Sequence, residues 1–145
     1  MSGTDRACPI AAVLFDLDGT LVDSAPDLAG AANELREQHG LAPLALAQLR
    51  PLVGSGARGM LDAAFGIGPQ HARFDALRVE FLALYERRLL RETRVFERMQ
   101  PVLIALEQRG LRWGIVTNKL ARFSVPLVEG LGLMSRCAVL ISGDT

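Results

Sequence analysis

The sequence predicts an α/β fold in which a parallel-sheet core is interrupted by an all-helical insert. Three apolar runs of strand length, residues 10–15, 113–116 and 138–141, each end in small polar residues. Such uninterrupted runs are typical of strands buried on both faces of a sheet. Strands that alternate with helices favour parallel pairing, and ligands bind at the carboxyl ends of parallel strands. The polar residues after each run are therefore the expected site.

The helices of the core are marked by their start and stop residues. Residues 100–109 carry an apolar face, with Pro101 near the start and Gly110 after the end, as expected for a helix that leads into the second strand. A shorter helix over residues 124–131 precedes the third strand.

The insert occupies the long stretch without a convincing strand after the first apolar run. Helices are predicted from Pro26 to before Gly40 and over residues 44–49, 59–65 and 74–90. Residues 74, 77, 81, 84 and 85 form one apolar stripe, which we interpret as helix core. The predicted division is residues 1–24 (core, first part), 25–95 (helical cap) and 96–145 (core, second part).

Composition narrows the class of partner. The 145 residues include 16 basic and 16 acidic side chains, and this balance favours a small molecule or another protein over nucleic acid or an anionic membrane. The only cysteines, Cys8 and Cys137, have neither disulfide nor metal-ligand spacing. With no signal-peptide core and no apolar stretch of membrane-spanning length, we expect a soluble cytoplasmic protein.

Two aspartates directly follow the first strand. Asp16 and Asp18 are one residue apart and would repel each other unless a positive group lies between them. A turn-former and a helix cap would explain a lone pair of this kind. After a buried strand, the Asp-x-Asp-Gly-Thr pattern suits Mg²⁺ better, because Mg²⁺ takes carboxylate and carbonyl oxygens and keeps sites for water and phosphate.

This pattern also suits phosphoryl transfer. Asp16 is a candidate nucleophile toward phosphorus, since carboxylates form aspartyl-phosphate intermediates. Asp18 is a candidate general acid and base. Gly19 is expected to let the backbone approach the phosphate.

Thr117, Asn118 and Lys119 follow the second strand and offer a hydroxyl, an amide and an ammonium. Considered alone, these three residues are as typical of an ordinary loop after a strand as of a binding site. Beside the aspartates they become candidate phosphate-binding groups, because charge spreads over the phosphate oxygens during transfer.

A glycine-rich segment of the insert, LVGSGARGML at residues 52–61, surrounds Arg58 and includes Ser55. A loop that carries one guanidinium suits a carboxylate or a second anionic group of a substrate. A surface turn that opens a helix, with Arg58 solvated, is the alternative. Ser55 and Arg58 are the candidate substrate residues of the cap.

These motifs together resemble the haloacid dehalogenase-like hydrolase superfamily over essentially the whole chain. FDLDGTLVDSAPDLA is similar to the first motif of phosphoglycolate phosphatases, GIVTNK to the second, and the insert to their cap. The resemblance implies that Asp16 is the nucleophile and a Mg²⁺ ligand. It further implies that Asp18 is the acid–base residue with its carbonyl on Mg²⁺, and that Thr117 and Asn118 bind phosphate.

The substrate stays open between two classes. The resemblance to phosphoglycolate phosphatases implies hydrolysis of 2-phosphoglycolate to glycolate and phosphate. The segments at residues 52–61, FDALRVEFLALYERRL and LRWGIVTNK are also similar to N-acetylmuramic acid 6-phosphate phosphatases of cell-wall recycling. A dehalogenase is disfavoured, because that branch lacks the second aspartate.

Two motifs of the family have no counterpart in residues 1–145, namely a later lysine and a later acidic strand that completes the Mg²⁺ site. Asp144 belongs to the end of the third strand instead. We therefore expect a truncated product or a fragment of a phosphatase, with low or no activity by itself and with an exposed apolar sheet edge and face. The alternative from another class is an inactive form that acts only as a binding or interaction module.

Overall fold

The computed structural model describes residues 9–145, in which helices and strands alternate largely as predicted. In chain order the elements are β1 (Ala12–Phe15), β2 (Val22–Asp23), α1 (Ala25–Gln38), α2 (Leu46–Leu49), a 3₁₀ turn (Arg50–Ser55), α3 (Gly56–Phe65), α4 (Phe74–Arg88), β3 (Arg94–Val95), a second 3₁₀ turn (Glu97–Met99), α5 (Gln100–Gln108), β4 (Arg112–Val116), α6 (Ala121–Gly130) and β5 (Leu140–Ile141).

The three predicted core strands form one parallel sheet in the order β1-β4-β5. Phe15 of β1 aligns with Ile115 of β4, which aligns with Leu140 of β5. All three strands therefore end at the same edge, and the polar residues that follow β1 and β4 lie side by side. The α/β class with a parallel sheet is confirmed.

One face of the sheet is packed into the core. Trp113 and Ile115 are 1% and 0% exposed, and they belong to the same apolar cluster as Leu103 of α5 and Leu127 of α6. The Phe15 ring meets the Trp113 ring edge-on, with 6.2 Å between centroids. This face holds the strand ends rigidly against the two helices.

The other face corrects the prediction that the first strand is buried on both sides. Leu14, Val116, Val139 and Ile141 are 59%, 38%, 42% and 39% exposed. The register brings Leu14 level with Gly114 and Val116 level with Ile141, so these side chains share one face of the sheet. Within residues 9–145 this face is largely exposed to solvent. The expected exposure of an apolar face is observed.

The insert is built from α1, α3 and α4, which bury their apolar faces against one another. Leu35, Met60 and Leu61 are inaccessible, and Leu77 and Phe81 of the predicted stripe are 2% and 1% exposed. The prediction that residues 25–95 are all-helical is wrong at the end of that range. Residues 94–95 form β3, which pairs antiparallel with β2. A two-residue strand has too few residues for an apolar pattern to reveal it.

Helix α6 begins three residues before its predicted start at residue 124. The carboxylate of Asp144 accepts a hydrogen bond from the Ala121 amide at 2.8 Å and satisfies one of the free donors of the first turn. This partner lies 23 residues away along the chain, so local sequence does not show it.

Four sequence-based expectations concern the whole chain. No helix in the described part has the length and apolarity needed to span a bilayer. Cys137 is half-buried, and Cys8 lies outside the described residues. The domain boundaries and the cytoplasmic location stay predictions.

Candidate active site

The turn after β1 presents the two aspartates differently. Asp16 is exposed, and its Oδ1 accepts a hydrogen bond from the Leu17 amide at 2.7 Å. Leu17 is fully buried between the aspartates and anchors the turn, since its carbonyl accepts from the amides of Leu21 and Val22, each at 3.0 Å. The carboxylate of Asp16 therefore faces solvent from a rigid base.

Gly19 is required by backbone conformation. Its φ is +76°, and a Cβ added there would meet no described atom within 4 Å. A φ in this region is costly for residues with a side chain. Its amide donates to the Val22 carbonyl at 2.9 Å, which closes the turn, and the expected approach to a phosphate stays a prediction.

The carboxylate of Asp18 is held at both oxygens. Oδ1 accepts a hydrogen bond from Ser24 Oγ at 2.6 Å, and Oδ2 lies 3.3 Å from Nζ of Lys119. The two side chains of this ion pair are 10% and 8% exposed. Lys119 thus supplies positive charge that offsets the repulsion between the two aspartates. From the sequence, Lys119 was predicted to bind phosphate instead.

Lys119 also joins the core to the insert. Its Nζ donates to the hydroxyl of Tyr85 at 2.9 Å and lies 4.5 Å from the centroid of the Tyr85 ring. Burial lowers the pKa of Lys119, with Asp18 acting in the opposite direction. Burial raises the pKa of Tyr85, and Asp18 and Asp27 raise it further. Tyr85 is therefore a neutral acceptor for a buried ammonium.

Thr117 and Asn118 have different surroundings. Thr117 is buried, and its hydroxyl accepts a hydrogen bond from the Lys119 amide at 3.1 Å, which shapes the loop. Asn118 is exposed. Gly143, after β5, donates its amide to the Lys119 carbonyl at 2.9 Å, and a Cβ at this position would collide with the Asn118 carbonyl oxygen. The third strand end therefore supports the second through a glycine that permits close approach.

The insert places Ser55 and Arg58 opposite the strand ends. Both residues are exposed and lie at the junction of the first 3₁₀ turn and α3. That turn is tied to β2 by an ion pair between Arg50 Nη1 and Asp23 Oδ1 at 2.8 Å. The candidate substrate loop is thus fixed to the segment that leads away from the aspartates.

A cavity of about 250 Å³ lies between the strand ends and the insert. Five predicted site residues line it: Asp18, Asn118, Lys119, Ser55 and Arg58. Asp16, Gly19 and Thr117 are not among its lining residues. A second cavity of about 600 Å³ is lined by Ser55, Arg58 and Asn118 as well. The structure therefore gathers most of the predicted residues around one space.

Three lining or supporting residues were missed from the sequence. Ser24 reads as a helix cap but donates to Asp18, without capping α1. Tyr85 was interpreted as part of the apolar stripe of its helix. Its contact with Lys119 joins residues 34 positions apart in the sequence, so no local pattern shows it. Arg78 of α4 lines the same cavity. A signal existed for Arg78 alone, since it is a charge on the face of α4 that carries Phe81 and Tyr85.

The oxygen donors at the strand end fit Mg²⁺ as part of a ligand set. The Asp16 carboxylate and the Asp18 carbonyl are hard donors of the type Mg²⁺ takes, with water and phosphate completing its coordination. The side-chain oxygens of Asp18 are engaged by Ser24 and Lys119. Within residues 9–145, no three His, Cys, Asp or Glu side chains are grouped to hold a metal ion.

Comparisons with known proteins agree with this fold. A phosphoglycolate phosphatase of Xanthomonas campestris is 48% identical over 134 residues, which cover 92% of this chain and 60% of that protein. An N-acetylmuramic acid 6-phosphate phosphatase of Pseudomonas aeruginosa is 41% identical over 133 residues, covering 92% and 59%. The chain thus spans about three fifths of the length of these curated relatives.

Solved structures show the same architecture. The crystal structure of a predicted phosphoglycolate phosphatase from Haemophilus somnus 129PT matches with a TM-score of 0.78 and 25% identity, covering 92% of this chain and 63% of that one. The sequence profile of the family described as haloacid dehalogenase-like hydrolase matches residues 13–145. The resemblance predicted from the DLDGT motif is confirmed, and the chain belongs to the haloacid dehalogenase-like hydrolase family.

Proposed function

We propose that the chain carries the nucleophile and the acid–base residue of a Mg²⁺-dependent phosphomonoester hydrolase that acts on a small phosphorylated acid, 2-phosphoglycolate being the first candidate. One observation carries the proposal. Asp16 and Asp18 lie on either side of the buried Leu17 at the end of β1, and Lys119 from the end of β4 lies 3.3 Å from Asp18. Two carboxylates and a buried ammonium at adjacent strand ends suit phosphoryl transfer.

In the first step, the Asp16 carboxylate attacks phosphorus and the ester P–O bond breaks. The electron pair of that bond goes to the leaving alkoxide oxygen, which takes the proton that Asp18 carries in the substrate complex, after Lys119 has moved from Asp18 to the phosphate. Glycolate leaves, and the phosphoryl group stays on Asp16. The solvent-facing position of Asp16 supports the role of nucleophile, because nothing in the turn blocks its approach to a phosphate.

In the second step, water attacks the phosphorus of the aspartyl phosphate. Asp18 takes the proton of that water, the acyl phosphate bond breaks, and Asp16 returns to a carboxylate with release of phosphate. We expect Lys119 to move between Asp18 and the transferring phosphate, with Thr117 and Asn118 binding phosphate oxygens beside it. When bound, Mg²⁺ would supply neutralising charge to the phosphate oxygens, with Asp16 and the Asp18 carbonyl holding it.

N-acetylmuramic acid 6-phosphate is the second candidate substrate. Its support is the relative named for that activity, at 41% identity over 92% of this chain, together with a cavity that Ser55 and Arg58 extend toward the insert. Both candidate substrates are phosphomonoesters with a carboxylate. The chemistry at Asp16 is the same for either.

Chemical trapping of the phosphoenzyme tests the proposal without requiring full turnover. The chain is incubated with Mg²⁺ and each candidate substrate, quenched in acid, digested and analysed by mass spectrometry. We expect one added phosphoryl group on the peptide that contains Asp16, and none in the Asp16→Asn variant. A phosphoryl group on another residue, or phosphate release that persists in Asp16→Asn, would contradict the assignment.

The alternative from another class, a binding module without catalysis, makes a different prediction in the same experiment. Such a chain would bind phosphate esters and remain unlabelled. Its support is the open apolar face of the sheet at Leu14, Val116, Val139 and Ile141, which a partner chain could cover.

A further inference from the structure

Arg78 is an unusual residue for its position on α4. It lies three residues before Phe81 and seven before Tyr85, so the three side chains share one face of the helix. Phe81 and Tyr85 are 1% exposed on that face, and the Phe81 and Tyr85 rings are stacked, 6.3 Å apart. Arg78 as a whole is half-buried, and an anionic partner would stabilise a guanidinium on this apolar face.

The described residues do not provide such a partner. Within residues 9–145, no carboxylate lies within ion-pairing distance of Arg78 or of Arg58. By contrast, Arg87 and Arg88 on the same helix both pair with Glu34. Arg78 and Arg58 instead line the cavity between the insert and the strand ends.

The charges of this cavity are unbalanced. Its lining contains Arg58, Arg78 and Lys119 against the single carboxylate of Asp18, and Asp18 is already paired with Lys119. A phosphate at the strand ends would use Lys119. The two guanidiniums then remain for a second anion, and guanidinium groups suit carboxylates because they donate two parallel hydrogen bonds.

The helix separates the two positive regions. Tyr85 contacts Lys119, and Arg78 lies two turns earlier, about 10 Å along the axis of α4 at the usual helical rise. The second anion is therefore expected away from the phosphate, near the end of the cavity that Arg58 and Arg78 share.

Given the proposed function, on which this inference rests, we propose that Arg78 is a specificity-determining residue. Together with Arg58, it binds a carboxylate at the end of the substrate remote from the phosphate. The substrate class is a sugar-sized phosphomonoester acid, which is the second candidate of the proposed function, because the carboxylate of 2-phosphoglycolate lies too close to its phosphate to reach Arg78.

A matched pair of ligands tests this assignment. N-acetylmuramic acid 6-phosphate and N-acetylglucosamine 6-phosphate differ by the lactyl ether that carries the carboxylate. Their dissociation constants are measured by calorimetry with Mg²⁺ in an Asp16→Asn background, so that neither ligand is consumed. We expect the acid to bind about 10- to 100-fold more tightly, the range for a charge-assisted contact.

The Arg78→Met variant removes the charge and keeps an unbranched side chain. We expect it to lose most of the preference for the acid and to leave the affinity for N-acetylglucosamine 6-phosphate unchanged. Arg78→Lys keeps the charge without the two parallel donors and is expected to retain part of the preference. Arg87→Met, which removes an exposed arginine of the same helix, is the control and is expected to retain all of it.

Thermal unfolding of each variant confirms that it is folded before binding is measured, and Arg78→Lys serves if Arg78→Met does not fold. The proposal is overturned if the parent shows no preference for the acid, including by failure to bind it, or if the neutral or lysine variant keeps the full preference. Failure of the proposed function is separate, because it is read from the absence of label on Asp16.

Discussion

Lys119 makes a small set of contacts that connect the ends of β1 and β4 to the insert. Its ammonium lies 3.3 Å from Asp18 and 2.9 Å from the Tyr85 hydroxyl. The lysine follows β4 and the tyrosine belongs to α4, so any movement of the insert that displaces Tyr85 changes the partners of Lys119. Asp18, the proposed acid–base residue, and the insert are thereby coupled through one side chain.

Tyr85 allows a direct test of this arrangement, because it is the only tyrosine in the chain. Burial, with Asp18 and Asp27 adding to it, raises its pKa above the ordinary value of about 10. Its contribution to stability is therefore fully present below about pH 10 and is lost as the pH rises above that value. We expect the ultraviolet phenolate band to appear only together with alkaline unfolding.

The measurement is a pH titration that follows phenolate absorbance and far-ultraviolet circular dichroism in the same samples. Urea-unfolded chain is the control and should titrate with a midpoint near 10. A phenolate midpoint near that value in folded protein would show that Tyr85 is not buried against Lys119.

Among the secondary-structure elements, the two chain segments that lead into and out of the insert are held together by one buried carboxylate. Asp27, in the first turn of α1, is inaccessible to solvent. Its Oδ2 accepts hydrogen bonds from the amides of Glu92 and Thr93, at 2.9 and 2.8 Å, and from Thr93 Oγ1 at 2.8 Å. These contacts fix the segment that leads into β3, and with it the pairing of β2 and β3.

We predict that Asp27→Ala lowers the free energy of unfolding by about 3–5 kcal/mol, because it leaves buried donors without an acceptor. Urea unfolding measures this change. Glu34→Ala removes a more exposed carboxylate that pairs with Arg87 and Arg88 and is expected to cost less than about 1 kcal/mol. Equal losses in the two variants would contradict the role of Asp27.

The long helices and strands could be predicted from the sequence, but the contacts between them could not. Helix α4 was predictable from the spacing of Phe74, Leu77 and Phe81, and β4 from its apolar run, because local pattern and tertiary burial agree there. The strands β2 and β3 were missed, since two residues carry no period. Asp16, Asp18 and Lys119 were found as candidates from motif and position, whereas the pairing of Asp18 with Lys119 depends on the alignment of β1 with β4.

At the scale of the whole molecule, the sheet within residues 9–145 has one packed face and one open apolar face. Leu14, at 59% exposure, lies on the edge strand β1, and its side chain and that of Val139 flank Gly114 of the central strand β4. Exposed apolar patches of this kind bind apolar dyes and favour association.

We predict that Leu14→Lys reduces the fluorescence of the dye ANS bound to the folded chain and reduces its light scattering at high concentration. The free energy of unfolding should change by no more than about 0.5 kcal/mol, as for other exposed sites. Val79→Lys, at a 67% exposed valine on α4, is the control and should leave dye binding nearly unchanged. An equal reduction in both variants would show that the sheet face is not the main apolar patch.

We propose that Asp16, Asp18 and Lys119 together bind a phosphoryl group in transfer. Beryllium fluoride mimics a phosphoryl group bound to a carboxylate, and its binding in the presence of Mg²⁺ is measured by calorimetry and fluorine magnetic resonance. We expect Mg²⁺-dependent binding by the chain, its loss in Asp16→Asn, and weaker binding, by about tenfold or more, in Lys119→Met. Absence of binding by the parent chain, or binding that is unchanged in Asp16→Asn, would contradict it.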